Sequence, residues 1–315
     1  MDRRIARVSL IIILLLPLCL SCSANRTAMT MVANALSSST SGTTFTGEDD
    51  PELVGDALPF ALKLYESLIE EVKDNPRLYL ATGSGFIMYA NAYVQAPADM
   101  LPDTEVDKKS RMTSRARKLY LRGRDYVLKG IDISYPGFTA SLDNDSFKGS
   151  LDSMKPDDVP YLYWAAAGWM AAYASDPFDV NIGIGVKKAA AMMEAALRLN
   201  ESFNDGAIHD FFILYYGSLP QVMGGSEEKA RHHFKKALEF SKGLTASPYV
   251  ALASTVSVGN QNVKEFTDLL NKALAVDVSK RTGNRLANII AQRKAQWLLD
   301  HREDRFLSDT NEGDK

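Results

Sequence analysis

Residues 226–238 have the sequence Ser-Glu-Glu-Lys-Ala-Arg-His-His-Phe-Lys-Lys-Ala-Leu, and this stretch decides the fold class. The spacing places Ala230, Phe234, Ala237 and Leu238 on one helical face, while charged residues occupy the other. Small residues at this spacing let two helices approach closely, and the aromatic ring fills the groove between them. The stretch therefore predicts a helix that packs tightly against a partner helix.

The pattern recurs along the chain. The other copies are Ala189, Met193, Ala196 and Leu197; Phe266, Leu270, Ala273 and Leu274; and, more loosely, Ala61, Tyr65 and Leu68, and Ala116, Tyr120 and Gly123. The spacing approaches a regular period only in the last three copies, which begin at 189, 230 and 266. The recurrence predicts an all-α protein of helical hairpin repeats, a tetratricopeptide-like superhelix with a C-terminal capping helix.

Composition limits the possible functions. The chain has 315 residues, of which 46% are hydrophobic and 24% charged, as in a globular protein with a large core. Its formal net charge of −3 provides no basic field, so we exclude nucleic-acid binding.

We predict a signal peptide (1–21), an N-terminal linker with a short helix (22–52), a tetratricopeptide-like repeat domain (53–307) and a disordered tail (308–315).

The N-terminus has the features of an export signal. Three arginines within the first seven residues precede an apolar run over 8–20, which Ser21 and Cys22 follow. One interpretation is a signal peptide whose cysteines are incidental. We favour a bacterial lipoprotein signal, in which Cys22 becomes the lipidated, palmitate-bearing first residue. The motif is imperfect, because Cys19 stands where a leucine-like residue is usual. A lipid on a soluble body anchors a protein to a membrane without spanning it.

Helical periodicity predicts the main elements of the chain. We expect a loop over 37–46 and helices over 53–73, 78–95, 113–133, 159–174, 186–199, 206–219, 226–238, 247–259, 263–276 and 285–299. The acids at 48–50 before Pro51 indicate either a cation site or helix capping, and we favour capping. The basic band on 113–133 is either a solvated face, which we favour, or a docking surface for an acidic partner.

Catalytic and metal-binding patterns are weak in this sequence. The chain has four histidines: His209, His232, His233 and His301. We interpret each as a surface or capping residue, with His209 and Asp210 the one adjacent pair of interest. The sequence has no zinc-protease motif, nucleophile elbow or phosphate loop. We therefore predict no catalytic residues, no metal, no cofactor and no enzyme activity.

The aromatic residues suggest a different kind of site. Many lie on helices that correspond to the first helix of a repeat, and first helices line the concave inner surface of such arrays. Most of these rings are expected to pack in the core, but a few exposed ones suffice to bind an apolar ligand. The candidate ligand-binding residues are Tyr89, Tyr93, Trp164, Trp169, Tyr215 and Tyr216.

Four stretches resemble a known family. They are FTGEDDPELVGDALPFALKLYE (45–66), MYANAYVQ (88–95), DVPYLYWAAAGW (158–169) and LANIIAQRKAQWLL (286–299). They span nearly the whole mature chain, and no generic repeat requires them. In these stretches the chain resembles the T component (TatT) associated with tripartite ATP-independent periplasmic (TRAP) transporters, a tetratricopeptide-like lipoprotein.

The resemblance implies a non-enzymatic, periplasmic accessory protein, attached to a membrane through a lipid on Cys22. It implies association with the substrate-binding (P) subunit of a TRAP transporter, and a homo-oligomer, specifically a trimer. A hydrophobic pore or cavity and hydrophobic or organic-acid ligands are further expectations. The alternative is an independent lipid- or small-molecule-binding lipoprotein without a transporter partner.

Overall fold

The structure, a computed structural model, describes residues 29–37, 39–144 and 146–307. The predicted signal peptide, Cys22 and the predicted tail over 308–315 lie outside the described residues. The described residues form helices, turns and loops and contain no strand, which confirms the all-α prediction. Within these ranges, no helix combines the length and the apolarity needed to cross a membrane.

Ten helices build the body of the protein. They are α1 (Pro51–Glu71), α2 (Pro76–Ala90), α3 (Val106–Ser134), α4 (Val159–Ser175), α5 (Val186–Leu199), α6 (Ala207–Ser218), α7 (Glu227–Ser241), α8 (Ser247–Leu252), α9 (Val263–Leu274) and α10 (Arg285–Asp300). A π-helical turn extends α2 through Asn91–Gln95 into Ala96–Asp99, and another extends α8 through Ala253–Ser257. Short helices lie at 29–36, Ser39–Thr46, Phe138–Ser141, Phe147–Asp152 and Val180–Gly183.

Two sequence predictions about the N-terminal half are wrong. The predicted loop over 37–46 contains the helix Ser39–Thr46, which packs against the start of α10. Tertiary contact outweighs the weak helix propensity of its Ser, Thr and Gly residues. Helix α3 begins at Val106, seven residues before the predicted Thr113, because the charged residues between these two positions continue the helix.

Side-chain caps explain several helix starts. The carboxylate of Asp50 accepts a hydrogen bond from the Leu53 amide at 3.0 Å, which confirms capping at the acidic stretch before Pro51. Asn75, Ser226 and Asn262 cap α2, α7 and α9 in the same way. Each cap pairs an amide that would otherwise lack a partner in the first helical turn.

The helices form two layers. The even-numbered helices, here called the first helices, pack against the odd-numbered ones, called the second helices, and each hairpin contacts the next. Along the first-helix layer, α2 contacts α4, and α8 contacts both α6 and α10. The opening stretch lies on α7, where Ala230 and Ala237 are fully buried and Phe234 is half-buried.

The closest approach between the layers is a contact of two glycines. A Cβ placed on Gly83 of α2 would lie 2.5 Å from the Gly123 carbonyl oxygen. A Cβ on Gly123 of α3 would lie 2.6 Å from the Gly83 carbonyl oxygen and 2.7 Å from Ile87. Neither helix can carry a side chain at this crossing, so the two backbones touch.

The two ends of the array meet. Arg293 of α10 donates two hydrogen bonds, at 2.5 and 3.1 Å, to the carboxylate of Glu52 on α1, across 241 positions of sequence. Lys294 lies 4.0 Å from Asp99, at the end of the α2 extension. The last first helix, α10, is therefore joined to the start of α1 and to the end of the α2 extension, so the first-helix layer curves back on itself.

The glycine contact predicts a strong effect of one methyl group. Gly123→Ala should lower the free energy of unfolding by about 2 kcal/mol, because the methyl group has no space between α2 and α3. Urea denaturation monitored by circular dichroism measures this change.

The matched control is Gly149→Ala on the short helix Phe147–Asp152, where a Cβ would meet no atom within 4 Å. This variant should be neutral or slightly stabilising, since alanine favours helix more than glycine does. Equal stability of the two variants would refute close backbone packing at Gly123.

Candidate functional site

The six aromatic residues predicted to bind ligand lie in three separate places. Tyr89 and Tyr93 form the first group, with ring centroids 5.7 Å apart, beside the junction of α1 and α10. Arg115 donates a hydrogen bond to the Tyr89 hydroxyl at 3.3 Å. The Tyr93 ring packs against Gly55, and its hydroxyl is buried without a partner among the described residues. Burial, together with the nearby Glu52 carboxylate, raises the pKa of Tyr93 to about 12.

The two tryptophans of α4 face different surroundings. Trp169 is 8% exposed, its Nε1 donates to the Ile182 carbonyl at 3.2 Å, and the Arg124 guanidinium lies 4.6 Å from its ring. It therefore packs in the core. Trp164 is half-buried and contacts Tyr163 edge-on at 5.2 Å. Of the two, Trp164 is the one with ring surface available for a ligand.

Tyr215 and Tyr216 form the third group, near the end of α6. Their rings are perpendicular at 5.2 Å, and Tyr216 stacks on His233 of α7 at 5.6 Å. Burial and then Glu194 of α5 raise the pKa of both tyrosines. Tyr216 therefore faces a second helix, whereas the Tyr215 ring stacks on Phe211 of its own helix at 6.1 Å.

The inner face is the side of α4 and α6 turned away from the second helices. On α6 the buried residues Ile208, Phe212 and Ile213 lie opposite Leu214, which is 47% exposed. Helical spacing places Asp210 and Phe211 beside Leu214. We define the inner face by Trp164, Ala167, Asp210, Phe211 and Leu214. Sequence reasoning overlooked Leu214, although its spacing from Asp210 and Phe211 indicated a shared face.

Asp210 gives the inner face its charge. The Ser247 hydroxyl of α8 donates a hydrogen bond to the Asp210 carboxyl, while Oδ1 is buried without a partner among the described residues. Burial raises the pKa of Asp210 to about 6, and the Ser247 hydrogen bond opposes this rise. The residue is therefore a carboxyl group that changes charge near neutral pH.

Two histidines pair behind Asp210. His209 of α6 is 1% exposed and His233 of α7 is 9% exposed, so the predicted surface or capping role is wrong for both. Their Nδ1 atoms lie 2.8 Å apart, so one imidazole donates and the other accepts. Phe240 stacks on His209, and Phe212 stacks on His233. Burial, followed by the neighbouring His209, lowers the pKa of His233 to about 4.

Two residues of the basic band on α3 form ion pairs with other elements of the protein. Arg117 pairs with Asp176, and Arg122 pairs with Glu66. Glu66 is buried, which pushes its pKa up, but hydrogen bonds from Lys63, Tyr126 and Arg122 together hold that pKa below its usual value. Arg117 and Arg122 therefore stabilise the packing of α3, while Arg111, Arg115 and Lys118 of the same band are exposed to solvent.

Comparison with known proteins assigns the family. A family model described as TRAP transporter T-component matches residues 47–306. The chain belongs to this family. The matched range includes every helix from α1 to α10. A protein of Treponema pallidum (strain Nichols), described as an uncharacterized protein, is 34% identical over 305 residues, which cover 92% of this chain and 94% of that protein.

Membership indicates an accessory role beside a TRAP transporter, and the T-component family is not an enzyme family. Within the described ranges, no three or more His, Cys, Asp or Glu side chains lie together in a way that could hold a metal ion. The inner face presents apolar and aromatic side chains around one carboxyl group.

The histidine pair predicts a specific pH dependence. The pKa of His233 is about 4 in the folded protein and about 6.5 when unfolded, so its neutral pairing is fully present above pH 6.5. As pH falls from 6.5 to 4, only the unfolded state takes up this proton, which costs about 3 kcal/mol of stability. A His233→Phe variant lacks this proton uptake. Its free energy of unfolding, measured with urea, should therefore rise by about 3 kcal/mol relative to that of wild type as pH falls from 6.5 to 4.

Two further variants make the test selective. His232→Gln, at an exposed position on the same helix, should follow the wild-type pH profile. Asp210 has the opposite effect, because its raised pKa means that the folded state takes up a proton before the unfolded state does. Asp210→Asn lacks this proton uptake and should lose stability relative to wild type as pH falls below 6. If the free energy of unfolding changed with pH in the same way in wild type, His233→Phe and Asp210→Asn, the shifted pKa values of His233 and Asp210 would be contradicted.

Proposed function

We propose that this chain is a lipid-anchored periplasmic protein that holds the substrate-binding subunit of a TRAP transporter near the membrane. The family match over 47–306 is the main support for this proposal, because it spans all the helices from α1 to α10. A helical array suits such a role, since it offers a large and stiff surface for a partner protein.

The anchor and the oligomer belong to the same proposal. The helix over 29–36 packs on α1 and α2 through the buried Ala33, and Asn75 donates a hydrogen bond to Asn34 at 2.8 Å. A lipid on Cys22 would therefore hold this end of the array close to a membrane. Exposed apolar residues, including Phe60 of α1 and Phe178 after α4, support contacts between copies, for which the family resemblance suggests a trimer.

The proposal includes passage of a ligand along the inner face. Leu214, Phe211 and Trp164 present apolar surface there, and Asp210 contributes one polar group. This arrangement fits a ligand with an apolar body and a group that donates a hydrogen bond. The same surface also supports the second candidate function, an independent lipid- or small-molecule-binding lipoprotein.

Binding of the subunit is the first expected outcome. The mature chain and the purified substrate-binding subunit, mixed at micromolar concentrations, should sediment as one complex in analytical ultracentrifugation. Separate boundaries at all ratios would contradict the transporter role and leave the independent lipoprotein as the function.

Ligand occupancy is the second expected outcome. Native mass spectrometry of freshly purified protein should show a bound apolar molecule, and Trp164→Ala should reduce its occupancy severalfold without unfolding the protein. The control is Trp297→Ala, because Trp297 stacks on His301 near the C-terminus and is not part of the inner face. Equal occupancy in wild type and Trp164→Ala would exclude the inner face as the ligand site.

A further inference from the structure

A groove runs between the second helices α7 and α9, away from the inner face. Its volume is about 470 Å³ and it is open to solvent. Phe234 and Lys235 line it from α7, Leu269 and Lys272 line it from α9, and Leu252 of α8 forms part of its floor. The groove is a natural consequence of the repeat, because neighbouring second helices are separated by a first helix that lies below them.

The charges in this groove are unequal. Its lining includes four basic residues and two acidic ones. Glu265 accepts two hydrogen bonds from Arg231, at 2.6 and 3.1 Å, and one from the Ser257 hydroxyl. Asp268 pairs with Lys264 at 2.7 Å. Both acids in the groove therefore already have a cationic partner.

Lys235 and Lys272 carry the remaining positive charge. Both are exposed, and neither forms an ion pair with a residue that the structure describes. They lie on opposite walls of the groove, one on α7 and one on α9. Because the whole chain has a net charge of −3, this local excess of positive charge stands out. Arg117 and Arg122 of α3, in contrast, are already paired with acids of this chain.

The shape of the groove favours a protein segment over a small molecule. Small-ligand sites cover most of their ligand, whereas this groove is open along its side. Its floor offers little apolar surface to an alkyl chain, since Leu252 is 2% and Leu269 is 6% exposed. A segment of another protein brings its own cover and can place carboxylates on both walls.

We propose that the α7–α9 groove docks an acidic segment of a partner protein, with carboxylates at Lys235 and Lys272 and one apolar side chain over Phe234. This inference deepens the proposed function and rests on it only in naming the substrate-binding subunit as the partner. The contact is mainly electrostatic, so its strength decreases with ionic strength.

A charge-matched peptide series tests the groove on the full mature chain. The probe is a fluorescein-labelled Glu-Glu-Leu-Glu-Glu peptide, followed by fluorescence anisotropy at low salt, with Gln-Gln-Leu-Gln-Gln as the neutral control. The acidic peptide should bind at least tenfold more tightly than the neutral one. Lys235→Glu combined with Lys272→Glu should weaken its binding about tenfold, as loss of two modest ion pairs predicts.

The control is Lys187→Glu combined with Lys280→Glu, which changes the net charge equally at exposed positions outside the groove. This control should stay within twofold of wild type. Equal weakening in both double variants, or equal binding of both peptides, would overturn the proposal. Displacement of the acidic peptide from wild type by decanoate would also overturn it and indicate a small-ligand site instead.

Binding of the substrate-binding subunit to wild type and to the Lys235→Glu, Lys272→Glu variant distinguishes the groove proposal from the transporter role. If the subunit binds wild type and the groove variant equally, the transporter role stands and the groove is not its docking site. If the subunit fails to bind while the acidic peptide binds through Lys235 and Lys272, the groove stands and its partner is a different acidic protein.

Discussion

The contact between Gly83 and Gly123 sets the distance between α2 and α3 where the two helices cross. Fully buried alanines, Ala196, Ala237 and Ala273, occupy the pattern position of Gly123 on the second helices α5, α7 and α9. Because small residues occupy these contact positions, many large aromatic rings lie toward the sides of the first helices. The surfaces that the first helices expose are therefore a consequence of how closely the helices pack.

The spacing of small residues made the fold predictable, and its limits explain what was missed. Ala230 and Ala237 are buried as the opening stretch indicated, but His233 is more buried than Phe234. Periodicity cannot reveal this, because His233 is accommodated by pairing with His209, which lies 24 positions earlier. The helix Ser39–Thr46 was missed for a similar reason, since it depends on contact with the distant α10.

The candidate site was less predictable than the fold. Trp164 and Trp169 look alike in the sequence, yet one is half-buried beside the inner face and the other is hydrogen-bonded in the core. The same limit applies to charge. Arg117 and Arg122 of α3 are paired by Asp176 and Glu66 on other elements, whereas Lys235 and Lys272 have no such partner among the described residues. Which charges remain available to a partner depends on contacts between distant parts of the chain.

The helices form a packed frame with two surfaces, for which we propose different occupants: a ligand on the inner face and a partner protein in the outer groove. Hydrogen–deuterium exchange of the mature chain, measured with and without the substrate-binding subunit, tests this proposal most directly. We expect slower exchange in α7 and α9 when the subunit is present, with the core helices α2 and α3 unchanged. Identical exchange along the whole chain, with and without the subunit, would contradict it.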